Sequence, residues 1–150
     1  MIFGILDPAV LLYVIGCLSG RTRHSNTLSQ NGLIRSVLSD PYREGLCLFN
    51  EEKFFATHEV LEDVWRTAAP AERRFLQGLI QVAVALHHYS TGNLAGCRSL
   101  LTRACGNLAA YPAEYGGLDL AALLTTLAHW RLALEENRTP PPPPVLVLKR

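Results

Sequence analysis

A chain of 150 residues, 49% apolar and 18% charged, has the make-up of one globular domain with room for a core, and not of a disordered segment. Its net charge of +1, with arginines scattered along the chain, argues against a dedicated nucleic-acid binder, which carries a basic stripe. Four cysteines, Cys17, Cys47, Cys97 and Cys105, form no CxxC pair and stand beside no histidine at metal-finger spacing. That argues against a disulfide framework or zinc finger and points to a reducing cytoplasm, with Cys97 and Cys105 read as small buried residues.

The chain opens on MIFGILDPAVLLYVIGCLSG, an apolar run broken at Asp7-Pro8. Only Ala9 to Leu18 is uninterrupted, about half of what a membrane-spanning helix needs. It lacks a basic n-region and makes a poor secretory signal, so no membrane partner is expected. A buried or dimer-covering helix and a misread start of translation are the two readings it supports. SGRTRHSNTLSQNG, residues 19–32, is a polar linker, and Gly32 to Leu38 is expected to form a short helix that Asp40-Pro41 ends. The division that follows is an N-terminal extension over 1–39, a helical bundle domain over 40–138 and a proline-rich tail over 139–150.

Four helices are predicted within the domain. The first runs from Glu51 to Arg66, with Asn50 as its N-cap and Glu51 and Glu52 in its first turn. The second runs from Pro70 to Ser90, with proline at its first position and Gly92-Asn93 as its stop, and is apolar almost all the way round. The third runs from Leu94 to Ala110 on an apolar face of Leu94, Cys97, Leu101, Ala104 and Leu108. Pro112 closes it and Glu114 to Gly117 forms a loop. The fourth follows Asp119 to about Asn137, with Leu120, Leu123, Leu124, Leu127, Trp130 and Leu134 as its stripe. Pro140 to Pro144 then impose a polyproline stretch before VLVLKR. The fold class is all-α: a small antiparallel helical bundle of about four core helices with an extended proline-rich C-terminal tail.

The stretch FFATHEVLEDVW holds the candidate chemistry. At about 100° per residue, Phe54, His58, Leu61 and Trp65 share one stripe, and Phe55, Glu59, Glu62 and Arg66 the adjoining one. Lys53, Thr57 and Asp63 point away, with Val60 and Val64 among them. On the second helix Gln77, Gln81, Val84 and His88 lie within about 60° of one another. Buried amides and imidazoles need partners, so the simplest expectation is one shared network of His58, Glu62, Gln77, Gln81 and His88. Glu59 and Arg66 would pair or bind an anion at its edge, and Asn93 would reach it from the helix stop. Gly78 would admit a close helix neighbour.

LFNEEKFFATHEVLEDVWR followed by FLQGLIQVAVALHHYSTGNLAGCRSLL resembles the domain of unknown function 309 family of bacterial and archaeal proteins. Its FN..FF..HE.LE..W and QGLIQ.A.A..H...GN segments map onto Phe49, Asn50, Phe55, His58, Glu59, Glu62 and Trp65, then Gln77, Gly78, Gln81, His88, Gly92 and Asn93. The likeness covers about Pro41 to Leu134. Glu52, where a small residue is usual, and Cys97, where alanine is usual, depart from it. The resemblance implies an all-helical fold and carries no established activity with it.

Three functions fit these residues. The favoured one is a closed polar network that fixes helix register in a structural or interaction module, with a homo-oligomer as a candidate assembly. A divalent metal on His58, Glu62 and His88 is a candidate cofactor but not the favoured one: HEVLE is not HExxH, and the second helix offers glutamines where a di-iron bundle has carboxylates. The remaining one is acid–base chemistry on a small polar ligand by Glu59, Glu62 and His88, with His58, Arg66, Gln77, Gln81 and Asn93 orienting it.

Overall fold

The computed structural model describes residues 39–149. The apolar N-terminal run, the linker and the expected Gly32–Leu38 helix lie outside the described residues. Five helices and one small hairpin follow: α1 (Asp40–Asn50), α2 (Phe54–Thr67), α3 (Pro70–Ser90), α4 (Leu94–Leu108), β1 (Glu114–Tyr115), β2 (Leu118–Asp119) and α5 (Leu120–Glu135). The all-α expectation holds. No helix among the described residues is long and apolar enough to cross a membrane.

Helix α1 was not expected, and it corrects two sequence readings. Asp40-Pro41, read only as a helix stop, opens this helix: proline stands in its first turn, where no N–H bond is needed, and the Ser39 side chain accepts from the Tyr42 amide. Asn50 ends α1 and does not cap α2. The turn between them takes Glu52 into the left-handed region at φ 59°, and Lys53 occupies the N-cap position of α2 without a side-chain cap bond. The predicted bounds of α3 hold, and α4 ends at Leu108, just short of the expected Ala110.

Each helix packs chiefly on a neighbour in sequence, most extensively α3 on α4. The contacts run antiparallel. The α1/α2 turn brings Phe49 edge-on to Phe54 at 5.3 Å. Phe55, early in α2, meets His87, late in α3, while Trp65, late in α2, lies under Arg73, early in α3. Arg74, early in α3, bonds Asn107 at the end of α4, and Arg98, early in α4, donates to the Leu134 carbonyl at the end of α5. Two glycines allow close approach: a Cβ on Gly45 would stand 2.6 Å from Leu61, and one on Gly78 2.7 Å from Leu108. The expected loop at Glu114–Gly117 is a tight hairpin. Gly116 and Gly117 both have positive φ, as a type I′ turn requires.

The core takes Phe49, Leu61, Phe75, Leu79, Leu101, Leu127 and Trp130, among others. Two readings of burial are corrected. Leu94, at the first position of α4, is 40% exposed. Thr57, expected to point away, is fully buried; its hydroxyl donates to the Lys53 carbonyl one turn back, which satisfies it locally and frees its methyl to pack.

Residues after Glu135 carry no regular secondary structure and return across the bundle. The Trp130 indole N–H donates to the Pro142 carbonyl, and the Lys149 amide donates to the Gly117 carbonyl. Between them the Asn50 side chain grips Leu146 at two points, donating to its carbonyl at 2.8 Å and accepting from its amide at 2.7 Å.

Candidate functional site

Helix α2 presents a ladder of side chains one turn apart. His58 is buried, and its Nε2 lies 3.2 Å from a Glu62 carboxylate oxygen. Arg66 donates to the other oxygen of Glu62 at 3.0 Å and to Asp63 at 2.9 Å. Burial pushes the Glu62 carboxyl up, but the His58 hydrogen bond and charge, with Arg66 beyond, outweigh it and hold the group below the usual carboxylate value. Glu59 is exposed. Arg66 is thus paired with Glu62 and Asp63. The i, i+4 geometry favours Glu62, which is already half drawn into the protein.

The Phe55 ring stands edge-on to His58 at 5.7 Å and to His87 at 5.9 Å, between the imidazoles of α2 and α3. His87 and His88 follow at 6.4 Å between ring centres, and the Asn93 amide nitrogen lies 3.2 Å from His88 Nδ1. Asn93 also accepts from the Gly96 amide, so one side chain caps α4 and holds the last histidine of α3.

The glutamines face elsewhere. Gln81 is buried and accepts from the Asn107 amide of α4 at 2.9 Å. Gln77 is half-buried and makes no side-chain hydrogen bond among the described residues. The reason lies at Gly78, one turn from Gln81 on the same face: its missing side chain lets α4 close over that face, with Leu108 and Asn107 against it. Of the residues expected in one network, His58 thus pairs with Glu62, His88 with Asn93 and Gln81 with Asn107. Among the described residues no three His, Cys, Asp or Glu side chains gather as a metal-holding set.

Residues 42–100 match the family model described as Domain of unknown function (DUF309). The solved structure of a conserved hypothetical protein from Thermus thermophilus is 37% identical, with a TM-score of 0.52 over 65% of this chain and 97% of that one. The chain belongs to the DUF309 family. The family resemblance read from the FF..HE.LE..W and QGLIQ segments is therefore correct. Two curated relatives are also similar. The uncharacterized protein YpuF of Bacillus subtilis (strain 168) is 39% identical over 74 residues, 47% of this chain. An uncharacterized protein of Aquifex aeolicus (strain VF5) is 29% identical over 100 residues, 66% of this chain. The matched stretch spans 42% and 30% of the length of those two proteins.

Two further polar features of this DUF309 domain escaped the sequence reading. Glu72 is buried at the third position of α3, where the Ala69 backbone N–H hydrogen-bonds its carboxyl. Burial nonetheless holds that carboxyl above its ordinary value. This is half of a capping box, and its signal was legible in A-x-x-E ahead of an apolar run. Beside it the Tyr111 hydroxyl accepts from the Phe75 amide at 3.0 Å and donates to the Ala71 carbonyl at 2.6 Å. It thereby bridges a pair that the helix ladder would join directly. The other feature is Asn50, a residue of the family motif, whose side chain holds the tail.

Proposed function

We propose that this domain is a structural or interaction module in which the His/Glu/Gln residues fix the register of the helices. The observation that carries this reading is how the motif side chains are used. Gln81 meets Asn107 across α3 and α4, His88 meets the Asn93 cap of α4, and the Glu62 carboxylate is held along α2 by His58 and Arg66. Polar groups used in this way specify one packing among alternatives, at some expense in stability. Glu62→Gln and His88→Gln should each lower the melting temperature or change the oligomeric state seen by sedimentation. Unchanged stability and assembly in both variants would overturn the reading.

A second reading, acid–base chemistry on a small polar ligand, draws on one observation. The Glu62 side chain keeps 16% exposure beside a buried imidazole, so a carboxylate paired with histidine reaches the surface. Its test is a thermal-shift screen of small polar compounds. A compound that stabilises the native chain and not Glu62→Gln would support it, and a screen without such a compound would remove it.

A further inference from the structure

Along the seam between α3 and α4 the hydrogen bonds run in one direction. The Arg74 guanidinium can only donate, so its Nε, 3.2 Å from the Asn107 side chain, fixes the facing atom there as the oxygen. The Asn107 amide nitrogen must then point the other way, and it donates at 2.9 Å to Gln81. That contact fixes the Gln81 oxygen in turn and leaves its amide nitrogen as the far end of the chain. One arginine thus sets the orientation of both amides.

The chain ends on donors. Gln81 is 2% exposed, and its Nε2 is buried without a hydrogen-bond partner. Arg103 stands four residues before Asn107 on α4, so the two share a face with their Cβ atoms about 5–6 Å apart. Because the helices run antiparallel, that step back along α4 leads forward along α3, past Gln81 towards Val84. The Arg103 Nη1 is also buried without a partner, and Arg103 enters no ion pair among the described residues. Buried N–H groups without an acceptor are expensive, and a charged one more so. A neutral acceptor satisfies the amide and leaves the guanidinium charge uncompensated, whereas a cation is repelled. The complement of an amide and a guanidinium on packed, adjoining turns is a group that only accepts and carries negative charge.

We propose that Gln81 and Arg103 bind an oxyanion, the carboxylate or phosphate group of a small molecule, at the α3/α4 seam. Arg74, exposed at the same seam, adds positive charge at the rim, and the part-buried Arg103 and Gln77 mark the side of entry. The site adds a ligand to the bundle. It does not depend on the register-fixing reading, whose tests lie at Glu62 and His88.

The probes are inorganic phosphate and acetate, added to the full chain against sodium chloride of equal ionic strength. One or both should raise the melting temperature in a concentration-dependent way that chloride does not reproduce. A response to phosphate alone names a phosphate-bearing ligand, and a response to acetate alone a carboxylate. Arg103→Gln should weaken the apparent affinity by about tenfold or more. Gln81→Glu keeps an oxygen for Asn107 and puts a carboxylate oxygen where the anion would sit, so it should abolish the response. That variant should also lose more stability when Arg103→Gln is added than the native chain does, because its new carboxylate pairs with Arg103. No response to either anion overturns the proposal, and so does a response that survives in Arg103→Gln or in Gln81→Glu. Equal losses from Arg103→Gln in the native chain and in Gln81→Glu overturn it as well, since the two side chains then share no site. Helical content by circular dichroism checks folding, and should Arg103→Gln fail to fold, Arg103→Lys takes its place with the same outcomes expected.

Discussion

Two glutamates on neighbouring helices answer to pH in opposite senses. Glu62 has its folded-state carboxyl held below the usual value by His58 and Arg66, against the upward push of burial. Its contribution to stability is therefore complete above the unfolded-state value and is lost as pH falls through the lower folded-state value. Glu62→Gln should cost roughly 1–3 kcal/mol near neutrality, the scale of hydrogen bonds to charged groups. The gap to the native chain in urea melts should close as the solution is acidified below the ordinary carboxylate range. Glu72 is shifted upward by burial, so ionising it opposes folding at every pH above that range and leaves stability untouched well below it. Glutamine keeps an oxygen for the Ala69 amide and removes the charge. Glu72→Gln should accordingly raise the melting temperature at pH 7 and leave it unchanged near pH 3. A lower melting temperature at pH 7 would show that the carboxylate is worth more as a hydrogen-bond acceptor than its burial costs.

At the scale of the helix, α3 shows what a cap would add. Its N-cap, Ala69, has the extended backbone of a capping residue but no side-chain bond, while Glu72 already supplies the other half of a capping box. Ala69→Ser should stabilise the domain by about 0.5–2 kcal/mol, read as a shift in the denaturation midpoint at unchanged slope. The helices that could be read from the sequence were those with local punctuation: Pro70 at the start of α3, Gly92 and Asn93 at its end, and Asp119 before α5. Helix α1 was missed because Asp40-Pro41 is ambiguous, a stop after one helix and equally a first turn of the next, and only the chain direction beyond it decides. The same limit applied to the site. Spacing on one helix placed Glu62 one turn beyond His58, because i, i+4 geometry is local. It could not say which neighbour the Gln81 face would meet. That depended on Gly78 letting α4 approach, a contact between residues about 30 positions apart. Thr57 was misplaced for a related reason: a threonine that bonds its own helix backbone is as easily buried as a small apolar residue.

Over the molecule as a whole, the tail and the bundle are joined at places that no local pattern connects. Asn50 and Leu146 are 96 positions apart, yet the amide of one satisfies both backbone groups of the other. Burial of Leu146 and these two hydrogen bonds belong to a single docked unit, which fixes how their losses combine. In a rigid core, leucine to alanine costs about 2–5 kcal/mol, and two neutral hydrogen bonds contribute roughly 1–3 kcal/mol together. A segment at the end of a chain has another course open to it. Once either substitution removes more than the net free energy of docking, the tail releases, its backbone groups are solvated and nothing further can be lost. Asn50→Ala and Leu146→Ala should each destabilise the protein by about 1–3 kcal/mol on that scale. The double variant should then be little worse than the more damaging single one, a shortfall of about 1 kcal/mol or more from additivity. Urea denaturation of the four proteins measures this directly, and additive losses would mean that the clamp and the leucine seat act independently. The Leu146 amide supplies a second readout. Clamped by Asn50 it should exchange slowly with solvent, and in both single variants its protection should fall to that of a free chain while the amides of α3 keep theirs.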